Sequence, residues 1–272
     1  MSMSEKAASP RRRAWLRERR RRARAVAAAK IGLLLCLLVL WEVSARLGWT
    51  DAFLTSSPTR LWGTLCRLAA AGELRRHLGA TTLTATLGFL LGTLIGAAIA
   101  VALWWSDFLR RVAEPYLVIL NALPKIALGP VFIVWLGATR RAVLVITLSV
   151  SVIVAALEIL GGFLSTDEEQ MLLVRTLGGG RFEVLRRVVL PANLPVILGS
   201  LKVSVGMAWV GVIVGEFLIS REGLGYLIVY GSQVFQLDLV MASVAVLAAV
   251  ASMMYLCIQW IEQRLARRRG GR

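Results

Sequence analysis

Four ionisable side chains fall inside long apolar runs of this chain: Glu42, Glu158, Lys202 and Glu216. Each costs at least ~2.5 kcal/mol at the centre of a bilayer, so each needs a partner, an interface or a task. Glu42 and Glu158 stand toward the ends of their runs, within reach of headgroups. Glu216, in Val214-Gly215-Glu216-Phe217-Leu218, fits either an outer gate or a structural ion pair with an outer-loop arginine. Lys125 also has two readings, contact with an anionic solute or snorkelling to the inner interface. Covalent chemistry finds no such foothold. The one histidine, His77, and the three cysteines, Cys36, Cys66 and Cys257, have no metal-ligand spacing and no even disulfide framework. No Gly-x-Ser-x-Gly elbow, paired-histidine zinc helix or Gly-Lys-Ser/Thr phosphate loop occurs. The expectation is a non-enzyme with no metal and no cofactor of its own. If ATP powers it, another polypeptide binds the nucleotide.

The polar stretch 165–195, STDEEQMLLVRTLGGGRFEVLRRVVLPANLP, separates two apolar runs and is too long and organised for a mere connector. It predicts a short amphipathic helix around Asp167–Leu177, stopped by Gly178-Gly179-Gly180, then a second helix closing at Pro191. Glycine supplies the left-handed backbone that ends a helix. The result is a compact knob at a membrane face, offered to a partner. Arg181, Arg186 and Arg187 are placed to grip acidic partner groups or lipid, and Pro191 and Pro195 set the entry angle of the next segment.

The elements that position these residues are membrane spans. The chain is 57% hydrophobic with a mean hydropathy of +0.70, too apolar for a soluble globular domain. Roughly 20 apolar residues cross a ~30 Å hydrocarbon layer. Runs of that kind lie near 26–47, 80–105, 112–136, 142–164, 196–219 and 239–261. The reading is therefore an all-α polytopic membrane protein with about six transmembrane helices. A basic tail (1–25) precedes a membrane domain (26–262, with its loop at 165–195), and a second basic tail (263–272) follows.

Charge sets the orientation. Residues 1–30 hold eleven Lys/Arg against two Glu, and 262–272 hold five Arg against Glu262, so these ends carry 13 of the 16 net positive charges. Basic residues flanking the first and last spans put both termini in the cytoplasm, with the 165–195 loop on the same side. They are also drawn to anionic lipid. Nucleic acid is not expected, because the tail lacks interleaved aromatics for base stacking. Arg46, Arg60, Arg67, Arg75, Arg76, Arg140, Arg141 and Arg221 then fall outside, against the general trend.

Inside the membrane, Gly88, Gly92 and Gly96 form one helix stripe, and Gly211 and Gly215 repeat the device. Such stripes let helices approach closely, within one subunit or between two. The third run starts irregularly, with Asn121-Ala122-Leu123-Pro124-Lys125 and then Gly129-Pro130. Freed carbonyls are tolerated in lipid only against protein or a water-filled cavity, so Asn121, Pro124 and Lys125 are candidates to face a pathway. Trp209 is deep enough to join them.

Three segments together resemble the permeases of ABC importers, nearest to their nitrate/sulfonate/taurine branch. They are 122–130 (ALPKIALGP), Arg175-Thr176-Leu177-Gly178 with Val188-Val189-Leu190-Pro191, and Gly215-Glu216-Phe217 with Gly223-Leu224-Gly225-Tyr226-Leu227. The likeness spans roughly residues 30–262. That family's loop signature runs Glu-Ala-Ala, three residues, Gly, nine residues, Ile-x-Leu-Pro. Gly178, Leu190 and Pro191 keep the register here, whereas Leu172, Leu173 and Val174 stand at the Glu-Ala-Ala positions, with Glu168 and Glu169 upstream to supply the acid. The resemblance implies a type I importer permease fold, working as a homodimer in the bacterial inner membrane. A cytoplasmic ATPase dimer would dock on Glu168, Glu169, Leu172, Leu173, Val174, Arg175, Gly178, Arg181, Leu190 and Pro191, and a solute-binding protein on the outer side. The solute would be a small anion such as a sulfonate, taurine or nitrate. The competing class is a secondary transporter or channel with no ATPase, which would need coupling carboxylates and internal repeats.

Overall fold

The computed structural model describes residues 10–49, 51–219 and 221–269, so the extremities of both basic tails lie outside the described residues, as does the Lys125 side chain. Chain contacts divide it at Gly63/Thr64. In the first unit α1 (Pro10–Arg46) is followed by α2 (Ala52–Thr55) and the opening of α3 (Pro58–Ala70). Glu42 does not rely on headgroups: its carboxylate accepts from the Thr59 amide (3.1 Å) and hydroxyl (2.9 Å) and pairs with Arg46 (2.6 Å).

In the second unit α4 (Glu73–Trp105), α7 (Arg140–Leu164), α10 (Leu194–Ile219) and α12 (Leu237–Arg269) are the long apolar helices. α7 lies between α4 and α10. A Cβ on Gly92 would stand 2.2 Å from the Ser151 hydroxyl, and one on Gly211 only 2.7 Å from the Thr147 backbone. The glycine stripes thus serve packing within this chain, and the Ser151 hydroxyl bonds across to the Gly88 carbonyl (3.2 Å). Backbones this close gain dispersion and weak polar contacts, the main attractions left where lipid removes the hydrophobic drive.

The expected third span is broken. α5 (Asp107–Ala122) stops, Leu123 turns extended, a 3₁₀ turn covers Lys125–Leu128, and α6 (Gly129–Leu136) resumes. Pro124 forbids helical backbone at Leu123, while Pro130 fits a first helical turn where no N–H is needed. Among the described residues the other five expected spans are continuous helices long and apolar enough to cross a membrane. Two clusters organise this unit. One, around Phe89, Ile146, Trp209, Val212 and Ile219, takes in Phe132 and Ile133 of α6. The other, around Leu103, Ile159, Phe163, Val184 and Val189, takes in Ala113 and Leu117 of α5. The break at 123–128 therefore separates half-helices bound to different clusters. Lys202 of α10 is paired with Glu262 of α12 at 2.6 Å, which neutralises both.

Candidate functional site

The 165–195 segment folds as its residues suggest. Asp167 caps α8 (Glu168–Thr176), its carboxylate accepting from the Glu169 amide at 3.0 Å. Glu168 and Glu169 in the first turn and Arg175 in the last complement the helix dipole. Gly178, at φ +87°, ends the helix, with its N–H on the Arg175 carbonyl (3.0 Å) and that of Gly179 on the Val174 carbonyl (2.9 Å). Those two reversed bonds make a Schellman stop. α9 (Arg181–Val184) then widens into a π turn (Leu185–Val189) and a last α turn, Leu190–Ala192.

One side of this segment is anchored and the other is bare. Val184, Leu185 and Val189 are buried against Leu103, Ile159, Leu160 and Phe163, with Met171 and Val174 of α8 packed on the same cluster. Leu172, Leu173, Leu177 and Phe182 point away, with Leu177 80% exposed. Three expected contact residues change role. Val174 and Leu190 face the cluster, and Arg181 donates to the Trp105 carbonyl (2.8 Å), closing the last turn of α4. They hold the knob in place, while Glu168, Glu169, Leu172, Leu173, Arg175 and Pro191 are exposed. Asn193 ties the exit, donating to Thr166 (2.6 Å) and to the Val189 carbonyl (2.9 Å).

The pathway candidates do not converge. Asn121 and Pro124 are exposed around the helix break, and Trp209 is 4% exposed in the core. Trp209 also borders a groove of about 530 Å³ between α10 and α12, with Gly206, Ser252 and Tyr255. Glu216 is at the end of the unit opposite α8. Among the described residues it makes no ion pair with an arginine. Its carboxylate accepts from Thr81 (2.8 Å) and from the Gly225 amide (2.8 Å). The neighbouring amides of α11 (Leu224–Gln233) are taken in the same way, Leu224 by the Thr81 hydroxyl (2.7 Å) and Gly223 by His77 Nδ1 (3.0 Å). Three side chains from α4 and α10 thus cap a third helix in trans, replacing the partners its first N–H groups lack. The cage is tight, since a Cβ on Gly223 would stand 2.3 Å from the Glu216 carboxylate.

His77, Thr81, Glu222 and the caging role of Gly223 and Gly225 were not foreseeable as a group. The i, i+4 spacing of His77 and Thr81 puts them on one helix face, but only the tertiary fold brings α11 to it. Arginines at this end pair with Glu222: Arg140 bonds to it, and Arg76 lies at 3.7 Å. The Arg140 guanidinium holds the Glu222 carboxyl below the usual carboxylate range, against the opposing effect of burial.

Residues 88–271 match the family described as "Binding-protein-dependent transport system inner membrane component". An ABC transporter permease protein of Haemophilus influenzae is 31% identical across 84% of this chain and 92% of its own. The aliphatic sulfonates transport permease protein SsuC of Bacillus subtilis is 29% identical across 86% of each. Among solved structures, an inward-facing MetNI methionine ABC transporter chain aligns with a TM-score of 0.59 at 18% identity, over 73% of this chain and 97% of that one.

Proposed function

This chain belongs to the family of binding-protein-dependent transport system inner membrane components, as the permease subunit of an ABC importer, and from that premise we propose how it works. Two copies line the path of a small anionic solute, a sulfonate, taurine, nitrate or similar. An ATPase dimer grips the bare side of α8 from the cytoplasm, a solute-binding protein delivers from outside, and both termini are cytoplasmic. The observation that carries this reading is the two-sided build of 165–195. Leu172 and Leu173 of α8, Leu177 at its C-cap and Phe182 of α9 are exposed apolar groups on a segment whose other side is locked into the cluster at the ends of α4 and α7.

Exposed apolar groups flanked by polar ones mark an interaction surface. Glu168, Glu169 and Arg175 supply the polar rim. Closure of an ATPase dimer would displace α8 and, through Met171 and Val174, the cluster that also holds Ala113 and Leu117 of α5. The half-helix α5 would then swing about the Pro124 break while α6 stays with the outer cluster, a rocking motion of the kind that alternates access. Nucleotide hydrolysis would fall to a partner subunit, a division that family membership supports. The anionic class is supported by the sulfonate relative and by the outward arginines.

The test is purification with a candidate ATPase. A stable complex whose hydrolysis rises when a loaded binding protein is added supports the reading. Vesicles holding this chain alone that accumulate solute uphill would instead establish the uncoupled secondary transporter.

A further inference from the structure

The end of the unit opposite α8 carries positive charge that neither folding nor insertion explains. Arg75 and Arg76 are in the first turn of α4, Arg140 and Arg141 open α7, and Arg221 lies between α10 and α11; all five are exposed. Glu222 gathers Arg76 and Arg140 on one carboxylate, leaving a cationic excess that Glu73, in the same first turn of α4, only partly offsets. Arginines in a first turn oppose the helix dipole, by ~0.3–1 kcal/mol each. At the end away from the C-terminal basic residues of α12 they also run against the usual bias of Lys/Arg toward the cytoplasm.

The stretch 222–225, directly after Arg221, is fixed as well. Three successive N–H groups at its end are held by His77, Thr81 and Glu216, and Glu222 is held by Arg76 and Arg140. A connection with no task gains little from such restraint. A surface that must present charge in a set geometry gains directly, because less freedom is lost on binding.

We propose that this pinned arginine cluster is the docking surface for an acidic face of a soluble protein, the solute-binding partner of the importer. The inference rests on the function proposed above. Guanidinium forks pair bidentately with carboxylates, which suits protein side chains presented in a fixed array. An anionic phospholipid would satisfy the charge but has no use for a rigid loop, since headgroups rearrange to meet the protein.

The experiment uses the permease–ATPase complex in nanodiscs of uncharged phosphatidylcholine, with the binding protein found to stimulate hydrolysis. In R75E/R141E/R221E the binding-protein concentration for half-maximal stimulation rises roughly tenfold or more. Its dependence on salt between roughly 50 and 200 mM flattens, while hydrolysis without binding protein stays at the parent value. Unchanged half-saturation with unchanged salt dependence overturns the proposal. So does a variant whose only loss is phosphatidylglycerol retained through purification. A complex that hydrolyses ATP but answers to no binding protein overturns the importer reading, and this inference with it. If the triple reversal fails to assemble, R75Q/R141Q/R221Q gives the same test with a smaller shift.

Discussion

The two ends of the second unit solve one problem, ending a helix beside a membrane, in opposite ways. At the α8 end the stop is made by backbone alone: Gly178 turns left-handed and two amides bond back to Arg175 and Val174. Side chains are left free, and Leu172, Leu173 and Leu177 face outward. At the other end three buried side chains, His77, Thr81 and Glu216, are used to cap α11. One end is built to be gripped and the other to be held. Substitutions in the exposed α8 patch should therefore damage binding, and those in the buried α11 cap should damage folding.

The largest effect is expected at Gly223. Any Cβ there collides with Glu216 at a φ of +115°, so Gly223→Val should abolish recovery of folded protein from detergent, read by size-exclusion yield. Next comes Glu216→Ala, which strands the Thr81 hydroxyl and the Gly225 amide in a buried site. About 2–6 kcal/mol should be lost, at ~1–3 per orphaned group, seen as a lower melting temperature, and Glu216→Gln should keep most of that stability. The α8 end should behave differently: Leu172→Ser with Leu173→Ser leaves melting unchanged and weakens co-purification of the ATPase roughly tenfold or more. Equal melting losses at both ends would erase the contrast.

The smallest effect concerns Glu222, whose folded pKa is lowered chiefly by its bond to Arg140. That pair's stabilisation is complete above the ordinary carboxylate value near 4.5 and is lost as pH falls through the lowered one. About 1 kcal/mol or less is at stake for so exposed a pair, and Glu222→Gln should remove this pH dependence of melting.

Much of this was legible in the residues. The α8 boundaries follow from Asp167 and Gly178, because capping and termination are local. The glycine stripes announced close packing, though not between which helices. The irregular third span is legible in Pro124 and Pro130, but which cluster each half joins depends on the tertiary fold. Arg181 looked like a partner contact, yet its target is a backbone carbonyl 76 positions earlier, which no local pattern reveals. Glu216 stands out in the sequence as an acid in an apolar run, open there to a gate or an ion pair; the structure gives it hydrogen-bond donors instead. A carboxylate seeks donors, and which donors arrive depends on how α4, α10 and α11 meet.

The bond between Lys202 and Glu262 bears on how the chain is made. Its two members are about 60 positions apart, so the lysine emerges from the ribosome and enters the bilayer several seconds before its acid is synthesised at ~5–20 residues per second. Until then the fifth hydrophobic segment would hold an uncompensated ammonium, a burden of up to ~3 kcal/mol that favours lingering at the translocon. Completion of the final segment, rather than insertion of each one, would be the event that releases the protein into lipid.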